Sequence, residues 1–283
     1  GTDSAYIFVR SGDTWTQQQK INGQNSGSFG SSVSISGDYV VIGDPNEGPS
    51  YSYQGAAYVF KRSGTTWTEQ QKLTASDAGN QDYFGYSVSI SGEYAILGAY
   101  GDNDGASGSG AAYVFKRSGT TWTEQQKLKA SDGEMADYFG WSVSISGDYA
   151  VIGAYQHNEK DNDSGAAYVF KRSESTWAQE QKLTASDGAI GDQFGYSVSI
   201  SGEYVIVGAP EDDDGITSSG NAFVFKRSGI TWTEQQKLRA SDASHDLFGI
   251  SVSISVGYSV IGASSEDDGA TLDAGAAYVF AMN

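Results

Sequence analysis

The stretch "QDYFGYSVSISGEYAILGAY", residues 81–100, runs from an aromatic-glycine pair into alternating small polar and apolar residues, then through a turn into an apolar run. Its first half places Val88 and Ile90 on one face and serines on the other, the period of two of a strand (A). "SGEY" supplies turn residues, and "YAILGA" is apolar at nearly every position, as expected of a strand (B) buried on both faces. After a variable loop, "GAAYVFKRS" reads as strand C, and "SGTT" turns into strand D, "WTEQQKL".

The pattern recurs down the chain. Phe-Gly falls at Phe29, Phe84, Phe139, Phe194 and Phe248, spaced 55 residues apart and 54 at the last step. A Thr-Trp pair falls at Trp15, Trp67, Trp122, Trp177 and Trp232. "AAYVF" and its variants are centred on Tyr6, Tyr58, Tyr113, Tyr168, Phe223 and Tyr278. Four antiparallel strands per repeat of this length predict an all-β fold, a β-propeller of four-stranded blades. A β-solenoid would also be periodic, but with much shorter coils. One blade cannot bury both its faces and a ring of them can, so the 283 residues read as one domain. It has an N-terminal half-blade over residues 4–21 and repeats starting near 29, 84, 139, 194 and 248. Glycine and serine in strand A suit the crowded axis, and each Phe of Phe-Gly can fill the gap between blades.

Composition narrows the function. A net charge of −18 repels a phosphate backbone, so nucleic acid is not expected as a partner, and cations or basic surfaces are. No apolar run reaches the roughly 18 residues of a membrane helix, so membrane insertion is not expected either. With no cysteine, disulfides, thiolate metal sites and a cysteine nucleophile are excluded. That suits a cytosolic protein or a bacterial surface protein alike. The opening "GTDSAYIFVR" lacks a Met, as a mature or trimmed form would.

"FGYSVSISGEYAILGA…GAAYVF" resembles the FG-GAP repeat, whose Gly-Ala-Pro is literal at Gly208-Ala209-Pro210. Other copies read Gly98-Ala99-Tyr100, Gly153-Ala154-Tyr155 and Gly262-Ala263-Ser264, and the first is Gly43-Asp44-Pro45. The resemblance covers nearly the whole chain and is closest to bacterial forms with "TWTEQQKLTASD" between repeats. It implies β-propellers of secreted or cell-surface proteins, related to integrin α-chain heads, with roles in adhesion and ligand binding. Two departures stand out. The integrin-type Asp-x-Asp-x-Asp-Gly calcium loop between the first two strands is replaced by "SGEY" or "SGDY", so those ligands do not carry over. Integrin heads have seven blades, and this chain encodes five repeats.

Strand order gathers the B–C loops and D–A connections at one rim, which is strongly acidic. Hard cations take six to eight oxygen ligands, several of them carboxylates. Asp102, Asn103 and Asp104, then Asp161, Asn162 and Asp163, then Asp212, Asp213 and Asp214, with Asp267 and Asp268, have suitable types and spacing for Ca2+. The same residues also favour plain solvated turns. The pairs Asp77 and Asp82, Asp132 and Asp137, Asp187 and Asp192, and Asp242 and Asp246 precede each Phe-Gly, and this repeated Asp suits a cap on the backbone amides of the D–A turn, with metal binding as the alternative. Lys-Arg pairs at 61–62, 116–117, 171–172 and 226–227 lie at the opposite rim with Glu93, Asp148 and Glu203.

Catalysis finds little support. His157 and His245 lie in variable loops and read as surface residues, and no acid pair breaks the repeat as a hydrolase would require. Carbohydrate binding is the rival to a bare adhesive or structural module. Trp67, Trp122, Trp177 and Trp232 could serve as sugar platforms or as packing at the start of strand D, and Trp141 replaces the Tyr86 and Tyr196 of its neighbours. Asn162-Asp163-Ser164 is a glycosylation sequon. The chain starts with strands C and D (Ala5–Arg10, Trp15–Lys20) and ends with A, B and C (Phe248–Phe280). The expected use of this raggedness is closure of a five-blade ring by the N-terminal strand D. The alternatives are completion of a neighbouring copy's last blade, building a filament, and a fragment cut from a longer array of repeats. Expected partners are an extracellular protein or glycan, or copies of the chain itself.

Overall fold

The computed structural model describes residues 3–23, 28–49, 52–158, 162–213, 218–241, 246–255, 257–265 and 274–282. Asp161, Asp214, Asp242, His245, Asp267 and Asp268 lie outside the described residues. Within them the chain is all-β, a β-propeller of five blades. β1 (Ser4–Ser11) and β2 (Thr14–Asn22) form a hairpin. The first complete blade is β3 (Val33–Ser36), β4 (Tyr39–Asp44), β5 (Ala56–Ser63) and β6 (Thr66–Leu73). The second is β7 (Val88–Ser91), β8 (Tyr94–Ala99), β9 (Ala111–Ser118) and β10 (Thr121–Leu128). The third is β11 (Ser142–Ser146), β12 (Tyr149–Ala154), β13 (Ala166–Ser173) and β14 (Thr176–Leu183), and the fourth is β15 (Ser197–Ser201), β16 (Tyr204–Ala209), β17 (Asn221–Ser228) and β18 (Thr231–Leu238). The fifth holds β19 (Phe248–Ser255), β20 (Tyr258–Ala263) and β21 (Ala276–Ala281). All pairings within the sheets are antiparallel and follow chain order.

Each sheet reproduces the A–B–C–D order, and the A strands of successive blades touch along the axis. β8 is buried at every position, while β7 alternates buried Val88 and Ile90 with half-buried serines. The core lies between blades. One cluster joins Val41, Val59 and Leu73 of one sheet to Phe84, Val88 and Tyr113 of the next, and its counterparts recur at the following interfaces. Phe84, Phe139, Phe194 and Phe248 are wholly buried there, each stabilising the fold by about 2–3 kcal/mol.

The two motif elements meet across the interface. A Cβ on Gly98 would sit 1.9 Å from the carbonyl oxygen of Gly140, so the Gly-Ala element of one blade accepts only the bare backbone of the next blade's Phe-Gly. Ser87 Oγ donates to that same carbonyl at 2.8 Å. The strand A serines have a further use. Ser34, Ser89, Ser144 and Ser199 accept the backbone N–H of Ile90, Ile145, Ile200 and Ile254 in the next blade, at 3.0–3.1 Å.

Trp67, Trp122, Trp177 and Trp232 are at most 4% exposed. As sugar platforms they are ruled out, because a platform needs a free ring face. Each is instead clamped by the preceding blade. Gln71 donates to the Trp122 carbonyl at 2.7 Å and accepts its N–H at 2.8 Å, and Gln19, Gln126 and Gln181 do the same for the other three.

Closure within one chain by the N-terminal strand D is not what the structure shows. β19, β20 and β21 form a three-stranded sheet, and among the described residues β2 pairs with β1 and with no other strand. The β1–β2 hairpin packs through Ala5, Ile7 and Ile21 on Val40, Ile42 and Tyr58 of the first complete blade. Both end faces stay open. Val33 and Ile35 are each 58% exposed where Val88 and Ile90 are 8% and 6%; at the other end Tyr258 and Val279 are 60% and 67% exposed.

Candidate functional site: an aromatic belt on the acidic rim

At the B–C and D–A rim the first four blades each build a compact ionic cluster, centred on Lys72, Lys127, Lys182 and Lys237. In the second complete blade Lys127 Nζ donates to Asp77 at 2.7 Å, Asp102 at 2.7 Å and Asp104 at 2.6 Å, and the Tyr113 hydroxyl lies 2.7 Å from both Asp77 and Asp102, which share its single proton. Burial alone would lower the lysine, but the three carboxylates outweigh it and hold its pKa above the ordinary value. The contact with Lys127 holds Asp104 below the usual carboxylate range. Asp102 also accepts the Asp104 N–H at 3.0 Å, and Asn103 that of Gly108 at 2.8 Å, so both side chains shape the loop.

Asp77, Asp102 and Asp104 have carboxylate oxygens within 4.8 Å of one another, the separation a metal would require. The donor set does not fit a resident calcium, because the ammonium of Lys127 already stands among these oxygens and supplies the positive charge. Lys237 plays the same part between Asp187 and Asp212, at 2.8 and 3.0 Å. Exposed Asp213 and half-buried Asp163 stand beside these clusters, and Asn162 of the sequon is exposed while Ser164 is buried.

His157 stands at the Asp102 position of its repeat. It is 5% exposed, which overturns its reading as a surface residue. Lys182 donates to Nε2 at 2.7 Å, and Nδ1 lies 2.8 Å from Asp137. Both ring nitrogens are therefore engaged, one by an ammonium and the other by a carboxylate. In the D–A turns Asp82, Asp137 and Asp192 accept the N–H of Gly79, Glu134 and Ala189 at 2.5–2.6 Å. Burial, reinforced by Asp212 and Asp213, pushes Asp192 up to about 6.

On the same rim lies a belt of half-buried aromatic rings centred on Trp141. Its ring centroid is 4.5 Å from Tyr86, 5.0 Å from Tyr100, 4.6 Å from Tyr155 and 5.5 Å from Tyr196. Tyr83 stacks on Tyr100 at 4.9 Å and on Tyr53 at 5.8 Å, and Tyr138 stacks on Tyr155 at 5.8 Å. Tyr83 and Tyr138 hold φ of 56° and 55°, a left-handed conformation that costs a bulky residue energy. Backbone bonds compensate: Tyr83 and Phe84 donate to Tyr53 and Gln54, both at 3.0 Å. Burial raises Tyr100 and Tyr155 to about 12, so their hydroxyls remain hydrogen-bond donors at neutral pH. Asp163 and Glu211 stand close enough to add to the shifts of Tyr155 and Tyr196.

The belt was only partly visible in the sequence. Trp141 stood out, but Tyr83, Tyr100, Tyr138 and Tyr155 did not. A signal existed in the alignment of the repeats. The residue after Gly-Ala is Tyr100 or Tyr155 in two copies and Pro210 or Ser264 in others, and the residue before Phe-Gly is Tyr83 or Tyr138 against Ser28, Gln193 and Leu247. Aromatic substitutions therefore concentrate in two adjacent repeats.

No curated protein matches this chain. The FG-GAP repeat profile matches residues 15–60, 67–115, 122–170, 177–225 and 232–280. Each match opens at the tryptophan of strand D and closes at the last aromatic of strand C, so the sequence unit spans two sheets and carries one blade interface within it. By these five matches and the blades they build, the chain belongs to the FG-GAP repeat family.

Proposed function

We propose that the protein is a non-catalytic, extracellular binding module of adhesive or structural type, and that the aromatic belt is its contact face for a glycan. The observation that carries this reading is the belt itself. The repeated clusters of the rim are internally paired, whereas Trp141 and its tyrosines form a half-buried aromatic cluster, partly open to solvent, with carboxylates near Tyr155 and Tyr196. Sugars are held by such apolar faces flanked by a few oriented polar groups. The extracellular assignment follows the family, whose repeats are typical of extracellular proteins. Among the described residues the His157–Asp137 pair is buried with both ring nitrogens engaged, which leaves it no free base for catalysis. Neither calcium nor another cofactor enters the proposal.

A glycan array on the intact chain, repeated with Trp141→Ala and Trp141→Phe, tests it. Binding should fall at least ten-fold in the alanine variant and survive largely in the phenylalanine variant, with both still folded by circular dichroism at the assay temperature. An array without hits, or hits indifferent to Trp141, would remove the glycan reading. A second reading, in which the partner is another copy of the chain, is favoured by the exposed end faces.

A further inference from the structure

We infer that the β1–β2 hairpin of one copy takes the place of β21 in the last blade of another, completing that blade with its third and fourth strands. The inference rests on the reading of the chain as its own partner and specifies the strands. β1 "SAYIFVRS" and β21 "AAYVFA" are versions of the same strand C, so Tyr6, Ile7 and Phe8 correspond to Tyr278, Val279 and Phe280. β1 pairs with β2 along one edge only, and beside its other edge runs a groove of about 490 Å³ lined by Tyr6, Phe8, Trp15, Val33, Ile35 and Val40. That is the position that strands A and B of a preceding blade would occupy. β19 and β20 are such a pair.

The unused halves of the repeated inter-blade contacts match one for one. Four tryptophans are clamped by a glutamine of the preceding blade. The fifth, Trp15, is 63% exposed, and the fifth glutamine, Gln236, is exposed on β18. With β2 as the outer strand of the last blade, Gln236 faces Trp15. Arg117, Arg172 and Arg227 each lie 4.5–4.7 Å over a tyrosine of the preceding blade, at Tyr39, Tyr94 and Tyr149. Arg62 stands first in that arginine series, before Arg117, and Tyr258, 60% exposed, stands last in the tyrosine series, after Tyr204. The exchange places them together. Tyr6 and Phe8, 50% and 52% exposed, would pack on Phe248, where Tyr278 and Phe280 now sit at 5.3 and 6.1 Å. The new interface continues the one already repeated between blades. Because it joins the head of one copy to the tail of another, it propagates as a filament rather than closing.

The chain has no cysteine, so single thiols report the register. Tyr258 pairs with Ala281 in the present sheet, and the β1 residue equivalent to Ala281 is Val9. Val9→Cys and Tyr258→Cys proteins, mixed and treated with an oxidant or a short bis-maleimide, should give a one-to-one covalent dimer. Neither variant alone should do so, and the double variant should give a ladder. Trp15→Ala and Gln236→Ala should each weaken assembly about ten-fold by light scattering. Assembly without the Val9–Tyr258 link would overturn the exchange while leaving the chain its own partner. A monomer at high concentration, or a double variant linked wholly within one chain, would overturn both. None of these outcomes bears on glycan binding at Trp141.

Discussion

At the scale of single residues, the acidic rim is decided by which cation neutralises it. Lys127 holds three carboxylates and is the reason the loop does not need an ion. Lys127→Met should cost about 3 kcal/mol, as removal of one partner from a largely buried ion pair does. The same change leaves Asp77, Asp102 and Asp104 with oxygens at metal-binding separation. Melting curves should therefore show the variant rising with added calcium while the parent ignores both calcium and a chelator. Asp192 offers a test by pH. Its folded value of about 6 lies above the ordinary 3.8, so the folded state binds this proton more tightly than the unfolded state does. Its contribution to stability is full below about pH 4 and is lost as pH rises through 6. Asp77, Asp104 and Asp132 are shifted down and act oppositely, losing their contribution as the pH falls below the ordinary value. Asp192→Asn keeps the acceptor for Ala189, so it should raise the melting midpoint at pH 7 by a few degrees. The gain should vanish near pH 4.

At the scale of elements, the blade interface depends on backbone approaching backbone. Gly98 and Gly92 separate two uses of glycine within one repeat. Gly98→Ala drives a methyl into the Gly140 carbonyl and should cost more than about 4 kcal/mol in chemical denaturation, since neither blade can retreat. Gly92 sits in the A–B turn at φ of 60° with open space around it, so Gly92→Ala meets only the left-handed penalty of about 1 kcal/mol. Near-equal costs would show that the blades do not meet as described. These elements were legible in advance: β7 and β8 fall where the period of two and the apolar run place them. The pairing of strand A serines with the neighbouring blade was not legible, because a serine facing a crowded axis and a serine bridging two strands look alike in one dimension.

At the scale of the whole molecule, the periodic sequence determined the all-β class, the four-strand unit, the blade order and the family. Those follow from local alternation of side chains repeated at a constant interval, which any chain section displays without its neighbours. Tertiary structure alone decided the partners that lie about one repeat away. It turned four candidate tryptophan platforms into clamped packing, put lysine where calcium had been a candidate, and gathered Trp141 with tyrosines from several repeats. It also decided the ends. Whether five blades meet depends on small rotations accumulated over successive interfaces, and no residue pattern within one repeat encodes their sum.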